Sequence, residues 1–296
     1  MKEQESQIRE QLEKLQKKYE AMGQDMSSYL DGLLYSNYLS YWEYIHLDTL
    51  LSLQDTKTDF PDEKIFITYH QITELYFKLI LHELEQVNAS HNPTADFFQE
   101  KLNRINRYFK QLTSSFEIMV EGMEREQFLL FRMSLLPASG FQSVQYRKIE
   151  IMSTDLRKLV KPDRRRALPS DASFKEMMAA VYWKRGAKEL ASGEKTLTLK
   201  RFEDRYESEL IALAQCYQQN NLWQVYRKYF QETDILELKE AMRTYDHLAN
   251  VQWPLAHYRS AARYLQRDEQ TLSATGGTNW QKYLPPRLQG VIFFPS

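Results

Sequence analysis

Two histidines, one arginine and one glycine-rich turn are the residues of this chain whose types and surroundings could carry chemistry. His70 lies in the stretch DEKIFITYHQITELYFKLILHEL, Asp62 to Leu84. Its apolar residues recur at helical spacing, with Phe66, Thr73, Phe77 and Leu81 on one face and Ile65, Tyr69, Ile72 and Tyr76 beside it. The imidazole falls inside the first face, where an amphipathic helix ordinarily carries hydrocarbon. Alone, such a histidine reads as a core side chain with one satisfied hydrogen bond. His257 sits in the last long helical pattern among the small residues Ala256, Ser260 and Ala261, which leave room for something flat beside the helix. Arg132 follows Phe128 by four residues and Phe131 by one. A guanidinium on an apolar face is costly unless it meets an anion, and its planar fork suits a carboxylate, internal or bound. Thr275-Gly276-Gly277 can wrap a small polar group with backbone N–H donors, though by itself it is only a loop.

Other chemistries lack their residues. Neither GxxxxGK[ST] nor GxGxxG occurs, so no nucleotide-phosphate loop is expected, and HExxH is absent. One ExxH pair, Glu43 to His46, lacks the second that a helical di-iron site requires. The single cysteine, Cys216, excludes a disulfide framework, a cysteine zinc site and a CxxCH haem attachment. The 39 basic and 40 acidic residues nearly cancel, which argues against a nucleic-acid binder. The start, MKEQESQIREQ, is polar, and no apolar run reaches membrane-spanning length; a cytoplasmic protein with no membrane partner is expected.

The elements that must position these residues are helices. Nine Gly and nine Pro are few for 296 residues, and Glu, Leu, Gln, Lys and Arg abound, so an all-α bundle is expected. Ile8, Leu12, Leu15, Tyr19 and Met22 form a heptad seam that must pack on the body or on a partner chain. Tyr35, Tyr38, Tyr41, Trp42 and Tyr44 follow at a density typical of core or interface. After a polar break at 54–61, helices are expected to about Val87, from about Asp96 to Met119, and from Glu124 to Leu136. The cluster KPDRRR, Lys161 to Arg166, reads as a solvated loop. Further helices are expected over Ser173–Ala191, Lys200–Phe230 and Leu236–Leu265, the last with a kink where Pro254 removes a backbone donor. Strand signals are nearly absent.

Five stretches in order resemble the tryptophan 2,3-dioxygenase family: YWEYIHLDTLLSLQ from Tyr41, DEKIFITYHQITEL from Asp62, the FRxxLxPASGFQS pattern from Phe131 to Ser143, the His257 helix, and ATGGT from Ala274. The resemblance implies a helical enclosure for a b-type haem and a reaction in which O2 opens the indole ring of L-tryptophan to give N-formylkynurenine. By the same resemblance His257 is the proximal haem ligand and His70 the distal histidine that hydrogen-bonds the indole N–H. Arg132, assisted by Thr275, clamps the substrate carboxylate. Phe66 and Phe128 flank the indole, while Ser139 and Gly140 lie near the iron-bound oxygen. Tyr41, Tyr44 and Ile45 are lent by a neighbouring subunit of a homotetramer. Residues 1–60 would then be an N-terminal helical and aromatic arm at the subunit boundary, and 61–296 the haem-binding catalytic domain.

The chain departs from the family's pattern near the amino-acid end of the substrate. The segment between His257 and Thr275 is about four residues longer, Thr278-Asn279-Trp280 stands where the family has Ser-Ser-Gly, and Tyr76 replaces a Trp. Two rival readings therefore stay open. One is a haem-dependent hydroxylase of tyrosine or a tryptophan derivative on the same scaffold; the other is a helical interaction module without catalysis.

Overall fold

The computed structural model describes residues 2–35, 40–134, 142–187, 194–233, 235–257, 259 and 294. Among the described residues every regular element is helical, and extended pairing is confined to isolated bridges, one of them antiparallel between Val160 and Val181. The all-α expectation holds. No described helix is long and apolar enough to cross a membrane. The chain divides into two compact units, residues 1–54 and 55–296.

In the first unit, helices Lys2–Ala21 and Met26–Tyr35 precede two short turns, Tyr41–Tyr44 and Leu47–Leu51. The heptad seam stays uncovered: Ile8, Leu12, Leu15 and Met22 are exposed, and only Tyr19 finds an aromatic neighbour, Tyr29, at 4.7 Å between ring centroids. Tyr35, Tyr41, Trp42 and Tyr44 are exposed as well, so they are not core of this chain; Tyr38 lies outside the described residues. The Glu43 carboxylate of the ExxH pair accepts from the Ser40 amide at 2.9 Å and the Ser40 hydroxyl at 2.6 Å, capping its own short helix. His46 adopts a left-handed backbone, φ 52°, at the start of the next one.

The second unit is built around the helix Asp62–Ala89, which packs against Ala95–Ser115, Arg125–Ser134, Val144–Ser153 and Leu222–Tyr229. The inward faces of the first two supply fully buried Ile80, Leu84, Phe98, Leu102, Ile105, Phe109 and Leu112. Removing that much hydrocarbon from water, about 1.5–3 kcal/mol per large side chain, is what holds the bundle. Polar ties fix the register at both ends of the long helix. Asp62 accepts from the Glu124 amide at 2.6 Å, and its own amide donates to Gln127 at 3.3 Å. Near the other end the buried Glu83 meets the buried Lys101 ammonium at 3.0 Å.

Several boundaries differ from expectation for identifiable reasons. The helix expected to Met119 stops at Ser115, and a separate turn runs Glu117–Glu121. The KPDRRR cluster is a short helix, Pro162–Ala167, with proline in its first turn and Arg165 folding back onto the Lys158 and Val160 carbonyls. Residues Ser173–Ala191 give one short helix, Phe174–Ala179, the Val181 bridge, and a 3-10 turn Tyr182–Ala187. The span Lys200–Phe230 is two helices, Leu197–Cys216 and Leu222–Tyr229. Asn221 starts the second by accepting from the Gln224 amide at 3.0 Å. The last helix, Leu236–His247, runs into a π-helical turn, Leu248–Gln252, and resumes towards His257.

Candidate functional site

His70 and His257 lie near one another, each on its own helix and within a single group of aromatic rings. Phe116 stands between them: its ring is 5.6 Å from Tyr69, the residue before His70, and 4.5 Å from the His257 imidazole. Trp253, one turn before His257, packs at 4.3 Å from that imidazole and at 5.2 Å from Phe116. Phe77 reaches from the His70 helix to Trp253 at 5.9 Å. The Tyr69 hydroxyl donates to the Leu112 carbonyl at 3.2 Å, locking the His70 helix to the helix that ends beside Phe116.

Both imidazoles use the same local device. His70 Nδ1 is 2.7 Å from the Phe66 carbonyl oxygen, and His257 Nδ1 is 3.3 Å from that of Trp253, in each case four residues earlier. A carbonyl only accepts, so the proton sits on Nδ1 and the Nε2 lone pair is left free. Burial pushes the His70 pKa down, against the Phe66 carbonyl and the Glu74 carboxylate. Burial likewise lowers His257 to about 4, helped by nearby His70 and opposed by the Trp253 carbonyl. Both rings are therefore neutral near pH 7. His70 nevertheless keeps an exposed surface, and His257 is only half-buried.

Aromatic rings gather beside His70. Phe66 stacks on the His70 imidazole at 4.0 Å and faces Phe128 at 6.3 Å; Phe131, fully buried, closes the corner at 5.7 and 5.5 Å from them. Arg132 is in the Phe128 helix, four residues on, with its side chain outside the described residues. Ser139, Gly140 and Thr275 also lie outside them. Tyr41 and Tyr44 are exposed and Ile45 half-buried, all in the first unit.

The donor set suits a haem. Among the described residues no three His, Cys, Asp or Glu come together as a metal cage. His257 instead offers one neutral nitrogen beside Phe116 and Trp253, and a single protein imidazole would be enough to hold a haem, whose macrocycle brings four ligands of its own. Residues 31–167 match the family model described as tryptophan 2,3-dioxygenase. Over that span the chain is similar to the tryptophan 2,3-dioxygenase family. Curated proteins of that name agree. The one from a Ruegeria species is 42% identical over 118 residues, 39% of this chain and 42% of its own length. That of Ruegeria pomeroyi is 39% identical over 120 residues, 40% of this chain and 43% of its own. A Nocardioides protein is 38% identical over 122 residues, 39% of this chain and 45% of its own. The match thus spans less than half the length of these relatives. It takes in Phe66, His70, Phe128 and Arg132 and ends before the tryptophan-dioxygenase-like His257 helix.

Two residues of this aromatic group, Phe116 and Trp253, are not singled out by the sequence. Trp253 carries no motif, although its position four before His257 is the signal that its carbonyl would hold the ring.

Proposed function

We propose that the protein is a haem-dependent dioxygenase that opens the indole C2–C3 bond of L-tryptophan to give N-formylkynurenine, with haem b as cofactor and O2 as co-substrate. The observation that carries this reading is a pair of neutral histidines near one another in one group of aromatic rings. One is packed by Phe116 and Trp253, the other by Phe66 with Phe128 beyond it, and each has its proton on Nδ1 and an unprotonated Nε2. When bound, haem would supply the iron at which O2 is activated.

The chain's own residues bind and orient. His257 Nε2 would hold the haem iron, and its low pKa keeps protons from competing for that lone pair. The His70 Nε2 lone pair would accept a hydrogen bond from the indole N–H, which fixes the ring's rotation. Phe66 and Phe128 would fix its plane by stacking and keep water off the reacting carbons. Arg132 would take the substrate carboxylate in its planar fork, assisted by Thr275, so that both ends of the amino acid are held. The resemblance assigns Ser139 and Gly140 to the neighbourhood of the O2 co-substrate. Holding two reactants in one geometry is the main catalytic contribution of such a pocket. Residues 1–60 form an arm whose Tyr41, Tyr44 and Ile45 complete the pocket of a neighbouring subunit in a homotetramer, and 61–296 form the catalytic domain. The exposure of Tyr41 and Tyr44 supports that division. The protein works in the cytoplasm.

The test compares L-tryptophan with tryptamine, which lacks the carboxylate. Haem-loaded protein should form N-formylkynurenine carrying both atoms of labelled O2, and His257→Ala should abolish the Soret band. Arg132→Met should lower kcat/KM for tryptophan by roughly tenfold to a hundredfold, since a charge-assisted bond is worth roughly 1.5–3 kcal/mol, and should change tryptamine turnover little. Equal losses on both substrates would remove Arg132 from the carboxylate. A product with one labelled atom would make the enzyme a hydroxylase.

A further inference from the structure

The helix that carries His257 is not continuous α-helix, and the reason lies in its sequence. An α-helical proline has no N–H for the carbonyl four residues back, and its ring collides with that carbonyl. Ahead of Pro254 the chain instead forms the π turn Leu248–Gln252, in which the Trp253 amide donates to the Leu248 carbonyl, five residues back. The next bond of that pattern would run from residue 254 to the Ala249 carbonyl, and residue 254 has no hydrogen to give. Ala249 is fully buried, so bulk water does not make good the loss. The Tyr146 hydroxyl does, donating to the Ala249 carbonyl at 2.7 Å.

Tyr146 is itself firmly held. It opens the helix Val144–Ser153, where its amide donates to the capping Ser143 hydroxyl at 3.2 Å. Its buried ring packs at 5.3 Å from Phe77 of the His70 helix and carries the Arg147 guanidinium over its face at 4.8 Å.

The turn decides where the imidazole points. Successive residues of an α-helix are about 100° apart, so twelve steps from Tyr245 would carry His257 about 120° off the Tyr245 face. A π turn absorbs one extra residue and cuts that to about 20°. Tyr245 is fully buried, and Trp253, brought onto the same side by the same shift, is nearly so. Without the turn the imidazole would leave the aromatic group that receives it.

We propose that Tyr146 is a positioning residue for His257: its hydroxyl supplies the donor that Pro254 lacks and so holds the π turn that aims the imidazole. The proposal rests on His257 as the haem ligand, and its test separates the two. Tyr146→Phe removes one oxygen and keeps the ring. In the haem-free protein, amide hydrogen exchange over residues 248–257 should quicken about tenfold or more, with the rest of the bundle unchanged. Haem-loaded Tyr146→Phe should bind haem b about tenfold more weakly and show a shifted iron–imidazole stretching band in the ferrous resonance Raman spectrum. Unchanged exchange in that segment would overturn the proposal. So would a drop in melting temperature with haem affinity and the Raman band both intact. Failure of the unmutated protein to bind haem would instead remove the ligand reading, and local exchange would still decide whether Tyr146 holds the turn. Should Tyr146→Phe alone not fold, Pro254→Ala returns a donor to the chain. The double variant should then fold as well as Pro254→Ala alone, and its failure to do so would count against Tyr146.

Discussion

Glu63 offers a sharp test of how the His70 helix is seated. Its side chain is fully covered, under the thin layer of residues 55–61. It accepts from the Lys57 amide at 3.0 Å, the Thr58 amide at 2.7 Å and the Thr58 hydroxyl. Burial pushes its carboxyl upward, but the Thr58 hydroxyl, the two amides and the Lys57 charge more than reverse that push. The net shift is below the ordinary 4.5. Glu63→Gln keeps one acceptor oxygen and turns an amide N–H2 towards donors. With bonds to a charged group worth roughly 1.5–3 kcal/mol each, the loss should be about 2–3 kcal/mol near pH 7. In a unit of this size that lowers Tm by about 5–10 °C. The sign with pH follows from the depressed pKa. The folded state binds fewer protons than the unfolded one, so this stability is complete above about pH 4.5 and fades as pH falls through the lower folded value. Urea unfolding of both proteins at pH 7 and in acid measures it. A gap that stays constant into acid, or no gap at neutral pH, would refute the reasoning.

Other perturbations reach the remaining parts of the site and its frame. His70→Ala should retain haem while lowering kcat/KM for tryptophan about threefold to tenfold, the worth of one neutral hydrogen bond; an unchanged specificity constant would return His70 to an ordinary core residue. Tyr69→Phe, which removes the bond to the Leu112 carbonyl, should cost about 1 kcal/mol in urea unfolding, and no change would mean that the hydroxyl is idle. Lys101→Met leaves the buried Glu83 carboxylate with only the longer Arg104, Tyr108 and Gln86 contacts and should cost about 3 kcal/mol, whereas adding Glu83→Leu should recover much of it. A double variant no better than the single one would place the loss in packing rather than charge.

How much the sequence revealed depended on whether a residue's partner was local. The His70 helix and the all-α class follow from periodicity, and the structure shows the helix close to where the spacing puts it; the pairing of Phe66 with Phe128, 6.3 Å apart, came from the resemblance alone. Asn221 shows the opposite case: its side chain caps a new helix within a pattern that reads as continuous, so the break was invisible to apolar spacing. Arg165 closes a short helix by reaching back to carbonyls five and seven residues away, which charge counting reads as solvated loop. Pro254 announced a defect, yet periodicity could not say that the defect would be a π turn. The donor that makes it tolerable comes from Tyr146, over a hundred positions earlier. The seam at Ile8, Leu12 and Leu15 is legible as apolar, but among the described residues it is exposed.

Each imidazole is oriented by a carbonyl of its own helix rather than by a neighbour across the pocket. The two reactive nitrogens are thus decoupled from the walls that select the substrate. Substitutions at Phe128, or among the residues that depart from the family after Thr275, can reshape what is admitted without disturbing the tautomer of either histidine. A lineage built this way can reshape the aromatic rings around the two histidines while the carbonyls that set their tautomers stay under their own, separate selection.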